Sequence, residues 1–94
     1  VLLLVEDEPL IRPVLEEELA DAGFDLVVTA DGTQGMAELE ADASRFRGIV
    51  TDIRLGKGPG GWEIARRARE ISPAMPVVYV SGDSAHEWTA RAVP

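Results

Sequence analysis

The chain has no cysteine, a single histidine, 9 basic residues against 17 acidic ones, and no long apolar run. Each shortage removes a class of function. Without cysteine there are no disulfides and no thiolate metal sites, although this leaves the compartment open. One histidine, His86, cannot build a histidine metal cluster, and no serine triad surrounds it in the sequence. It reads as a solvated helix residue. The longest strongly apolar stretches, residues 1–5 and 75–80, fall far short of the roughly 20 residues a membrane helix needs, so no membrane span is expected. The acids Glu6, Asp7 and Glu8 arrive at once after the first apolar stretch, with no basic segment before it, unlike a secretory signal. A cytoplasmic location is the default expectation. Basic residues are scarce where nucleic acid would need them: up to Asp52 there are 13 acidic and 3 basic residues (net −10), and beyond it 4 acidic and 6 basic (net +2). Direct nucleic-acid binding is therefore not expected. The one basic cluster, Arg66, Arg67 and Arg69, reads as the solvated face of a helix.

What remains is an ordinary globular composition, 46% hydrophobic and 28% charged. Ninety-four residues make a single domain spanning 1–94, able to bury only about 60% of the unfolded chain's surface. Residues 1–5 form an unbroken apolar run, as in a strand covered on both faces. From Pro9 the period changes, with Ile11, Val14, Leu15, Leu19 and Ala22 at helical spacing and Gly23 placed as a C-terminal cap. Pro13 is tolerable only inside the first turn. Residues 24–29 read as a second strand, Met36 to about Asp42 as a weaker helix, and 47–51 as a third strand stopping at Asp52. The run Gly56-Lys57-Gly58-Pro59-Gly60-Gly61 is a loop. Trp62, Ala65 and Ala68 mark a helix closed by Ser72 and Pro73, residues 76–80 a fourth strand, and 84–92 a helix with Ser84 and Glu87 spaced as a capping box.

The order β-α-β-α-β-α-β-α predicts an α/β fold: a doubly wound parallel sheet between two helix layers, with right-handed crossovers. In such sheets ligands sit beyond the carboxyl ends of the strands. Three of the four strands end in candidate functional residues: Glu6 and Asp7, Asp52, and Ser81. Taken singly, the acids read as dipole complements at a helix start or as solvated loop residues. As a set at neighbouring strand ends they would repel one another unless a cation joined them. A hard divalent ion suits such oxygen ligands, and Mg²⁺ takes one or two carboxylates while keeping several waters. Asp52 would then serve as a nucleophile toward phosphorus, with Ser81 donating a hydrogen bond to the transferred group.

These residues resemble the receiver domains of bacterial two-component response regulators. The resemblance lies in the apolar run into Val5-Glu6-Asp7-Glu8-Pro9, the strand ending Val50-Thr51-Asp52, Gly61 opening the next helix, and Pro76-Val77-Val78-Tyr79-Val80-Ser81-Gly82. It implies a flavodoxin-like sheet in strand order 2-1-3-4, Asp52 as phosphoacceptor, Asp7 as direct Mg²⁺ ligand and Glu6 as a ligand through water. The backbone carbonyl of Arg54 would complete the protein ligands, and Ser81 would be the switch hydroxyl. It also implies a histidine kinase or histidine phosphotransfer protein as partner, and a signalling module rather than an enzyme. The family's fifth strand, its phosphate-pairing lysine and its last helix have no counterpart before Pro94, so that lysine's role goes to no residue here. The fourth strand is then expected to be an open edge that invites association, such as a homodimer.

Other signals weigh less. Lys57 precedes most of the loop glycines, which is the wrong spacing for a P-loop. Asp31-Gly32-Thr33 is similar to the end of the D-x-D-G-T motif of aspartyl-phosphate phosphatases, but Thr29 stands where the first aspartate belongs. Trp62 reads as packing or loop cover, and Trp88 equally as core or as a partner-facing residue. Two rival functions share the acids or the fold: a Mg²⁺-dependent phosphohydrolase, and an interaction module that is never phosphorylated.

Overall fold

A computed structural model of the chain describes residues 1–53, 55, 58–81 and 89–93, with Ser81 and the last segment given by their backbone alone. The strands are β1 (Leu2–Val5), β2 (Leu26–Thr29), β3 (Gly48–Asp52), β4 (Val77–Ser81) and β5 (Thr89–Val93), and the helices α1 (Arg12–Asp21), α2 (Gly32–Ala41) and α3 (Gly61–Ile71). They form one sheet in the order β2-β1-β3-β4-β5. The first four strands are parallel, as the alternating pattern requires.

Parallel strands buried on both faces explain why β1 is apolar throughout: all four of its residues are buried. Leu3, Val5, Ile49, Val77 and Tyr79 face α2 and α3, meeting Leu39, Ile64, Ala65 and Ala68. Leu2, Leu4, Val50 and Val80 face the other way, toward Ile11 and Leu15 at α1. Among the described residues this second face is the less fully covered. A groove of about 470 Å³ there is lined by residues including Leu19, Phe24 and Val78.

Helix starts differ from the sequence pattern for local reasons. Residues 9–11 form a turn rather than the first turn of α1, because the Glu8 carbonyl accepts the amides of Ile11 and Arg12 and the Glu8 carboxylate that of Leu10. The helix therefore opens at Arg12, which places Pro13 within its first turn, where no backbone donor is lost. At its other end Gly23, at φ +96, donates to Ala20 while Phe24 donates to Leu19, the paired bonds of a Schellman cap. Helix α2 starts at Gly32, earlier than its weak apolar stripe suggests, because Asp31 Oδ1 accepts the Gln34 amide at 2.8 Å.

One expectation fails. Residues 89–92 are strand, not helix, and β5 pairs antiparallel with β4 from Ser81↔Thr89 to Val77↔Val93. The edge of β4 is thus covered, not open. Unpaired backbone groups along a buried strand outweigh a local capping signal, and β-branched Thr89 and Val93 suit the pairing. Ser84, His86, Glu87 and Trp88 lie outside the described residues. Among those described, no helix is long and apolar enough to cross a membrane.

Candidate functional site

Strand register builds the site. Val5 of β1 is level with Thr51 of β3, so the next residues, Glu6 and Asp52, emerge side by side at the carboxyl edge. Asp52 is level with Val80, which puts the backbone of Ser81 one step further along the same edge. Carboxylate oxygens of Glu6, Asp7 and Asp52 lie within 4.8 Å of one another. The structure therefore brings together the three acids singled out from sequence.

Their environments differ. Glu6 is fully buried and Asp7 and Asp52 partly so. Glu6 Oε2 accepts the Glu8 amide at 3.2 Å, while Oε1 is buried without a hydrogen-bond partner. Burial raises the Glu6 pKa to about 7, the charges of Asp52 and Asp7 push the same way, and the Glu8 amide opposes them. A buried carboxylate with one orphaned oxygen, beside two further carboxylates, suits a hard divalent cation ligated by oxygen. The residues present fit Mg²⁺.

Other residues hold the site through contacts that the sequence pattern does not show. Arg12 Nη1 donates to the Glu6 carbonyl at 3.1 Å and so braces the turn that carries the acids. Its signal was its isolation, a lone base in a strongly acidic stretch. Thr51, fully buried, donates its hydroxyl to the Asp52 carbonyl at 2.9 Å. Gly61 donates its amide to the Ile53 carbonyl at 3.0 Å, and a Cβ there would overlap the Asp52 carbonyl oxygen. Only glycine lets α3 start so close beneath Asp52. Arg54 and the Ser81 side chain lie outside the described residues.

An acidic cluster at the carboxyl edge of a five-stranded, doubly wound sheet defines a class, and comparison with known proteins gives its family. The chain belongs to the response regulator receiver domain family, whose profile matches residues 2–93. It is 34% identical over 80 residues to the C4-dicarboxylate transport transcriptional regulatory protein DctD of Rhizobium meliloti (strain 1021), covering 84% of this chain and 16% of that one. To the response regulator receiver protein CpdR of Brucella abortus (strain 2308) it is 31% identical over 84 residues, covering 89% and 68%. Among solved structures, a response regulator receiver protein from Sinorhizobium medicae WSM419 superposes with a TM-score of 0.81 at 43% identity, covering 89% of this chain and 67% of that one. The chain spans only 16% to 19% of the length of the first three curated relatives it matches. Its parallel strands take the order 2-1-3-4 expected of the receiver-domain fold.

Proposed function

We propose that this domain accepts a phosphoryl group onto Asp52 from the phosphohistidine of a histidine kinase or histidine phosphotransfer protein, in the cytoplasm. The observation that carries the reading is the convergence of Glu6, Asp7 and Asp52 within 4.8 Å at the sheet edge. An Asp52 carboxylate oxygen attacks phosphorus, the bond from phosphorus to the histidine nitrogen breaks, and an acyl phosphate forms while the histidine is released. Asp7 and Asp52 would hold Mg²⁺ directly, Glu6 through water and Arg54 through its carbonyl. Bound there, Mg²⁺ neutralises charge on the transferred group. Thr51 and Gly61 fix the backbone of the nucleophile, and Arg12 holds the Glu6 turn. Ser81 donates its hydroxyl to the phosphoryl oxygens, and this bond biases the end of β4 between two arrangements, which is the signal a partner or a second copy of the domain reads. The module is a signalling switch that turns over no external substrate.

The test is incubation with acetyl phosphate and Mg²⁺, followed by intact mass. The expected result is the gain of one phosphoryl group, lost on chelation of Mg²⁺ and absent from Asp52→Asn. A wild-type protein that gains none, or an Asp52→Asn variant that still does, overturns the proposal.

A further inference from the structure

The turn Asp31-Gly32-Thr33 has no role in the chemistry above, yet it touches the loop that follows the acceptor. A Cβ on Gly32 would overlap the Pro59 carbonyl oxygen, and a Cβ on Gly58 would overlap the Thr33 hydroxyl and lie 2.7 Å from the Thr33 amide nitrogen. The loop is therefore seated against the first turn of α2, with the Pro59 carbonyl at the Gly32 α carbon and the Gly58 α carbon at the Thr33 hydroxyl and amide. Gly58, at φ +77, has the left-handed conformation that this seating needs. The turn itself is held from two sides. Asp31 caps α2 through Gln34, whose side chain in turn accepts the Ala30 amide. Thr29, two residues upstream, accepts the Glu6 amide and donates its hydroxyl to the Leu4 carbonyl. A continuous path of short contacts thus runs from the Glu6 end of the acidic cluster, through the start of α2, to the loop leaving Asp52.

We infer that Gly32, Thr33, Gly58 and Pro59 form a latch that sets the position of the loop after Asp52 against the Glu6 side of the site, which makes them positioning residues for phosphoryl acceptance. The inference rests on the reading of Asp52 as acceptor. Gly61 ties the far end of the loop to Ile53, Leu55 packs on the core, and the latch holds the part between them.

Gly32→Ala tests this, because alanine is otherwise the better helix former and harms only the contact with Pro59. Gly23→Ala is the control: its φ of +96 strains an alanine and so lowers stability, but no atom lies within 4 Å of the new methyl group. In Gly32→Ala, hydrogen exchange at the Gly61 amide accelerates by about tenfold. Phosphorylation by acetyl phosphate at saturating Mg²⁺ slows by about tenfold. Gly23→Ala lowers the melting temperature and changes neither rate. Should Gly32→Ala not fold, Gly58→Ala makes the same test from the loop side, and adding Thr33→Gly, which removes the overlapped hydroxyl, recovers part of the rate. Wild-type values for both rates in these variants overturn the latch, and faster exchange with unchanged phosphorylation overturns its positioning role. A wild-type protein that gains no phosphoryl group overturns the acceptor reading instead, and Gly61 exchange then decides whether the latch exists.

Discussion

Glu6 Oε2 accepts the amide of Glu8 at 3.2 Å, while the other oxygen of the same carboxyl lies buried without a partner beside Asp7 and Asp52. Burial holds the folded-state pKa near 7 against an ordinary 4.5. Between those values the unfolded chain has released a proton that the folded chain keeps. The Glu6 contribution to metal-free stability is therefore fully present below about pH 4.5, falls as pH rises toward 7, and is level above that. Mg²⁺ favours the ionised form, so its stabilising effect grows through the same window. Melting curves from about pH 4 to about pH 8 with and without Mg²⁺ read this directly, with Glu6→Gln subtracting the other carboxylates. A wild-type minus Glu6→Gln difference that rises with pH in the absence of metal contradicts the assignment.

Gly61→Ala places a methyl group on the Asp52 carbonyl oxygen, whereas at Gly60 the added carbon sits 3.2 Å from the Ile53 carbonyl oxygen. The first overlap requires the start of α3 or the end of β3 to move, and the second only a small adjustment. Gly61→Ala should lose about 1–3 kcal/mol of stability, and Gly60→Ala less. Denaturant titration of the two variants checks the order, and equal losses would show that α3 is not pressed against the end of β3.

Much of this arrangement could be read from local pattern. Apolar runs that stop abruptly at acids mark strands and their ends together, so Glu6, Asp7 and Asp52 were placed on one edge by topology alone. Contacts between distant segments were not legible in the same way. The capping-box spacing of Ser84 and Glu87 suggested helix through Ala92, but what decides residues 89–92 is the unsatisfied backbone of β4, a tertiary demand that outweighs the local spacing. Pro13 was an awkward helix residue until the Glu8 turn moved the start of α1 to Arg12. Gly32 read as part of a turn, Gly58 as part of a flexible loop and Gly61 as a helix start, whereas at each of these α carbons an added Cβ would overlap a distant segment of the chain. A composition cannot separate a loop glycine that is loose from one that is required.

Ile64 and Arg67 sit three residues apart on α3 and should differ sharply in their contribution. Ile64 is fully buried in the cluster between β1, α2 and α3. Arg67 Nε meets Glu40 at 3.0 Å and its Nη1 meets Glu70 at 3.6 Å, but these side chains are 44%, 51% and 59% exposed. Ile64→Ala should lose about 2–5 kcal/mol through the cavity it leaves. Arg67→Ala should lose no more than about 1 kcal/mol, since solvent and salt screen the pairs. Parallel urea titrations at low and high salt check both, and only the Arg67→Ala difference should shrink with salt.

Asp31→Ala removes the acceptor for the Gln34 amide at 2.8 Å and should lose about 1 kcal/mol, whereas Asp31→Asn keeps a side-chain oxygen in place and loses little. The helix start that this cap holds is also the seat of Gly58 and Pro59. Fraying it loosens the seat without adding any overlap. At matched stability Asp31→Ala should therefore slow acetyl phosphate labelling of Asp52 where Gly23→Ala does not, and Asp31→Asn should restore the rate. If Gly23→Ala slows labelling as much as Asp31→Ala does, global stability alone explains the loss and the first turn of α2 has no special hold on the loop after Asp52.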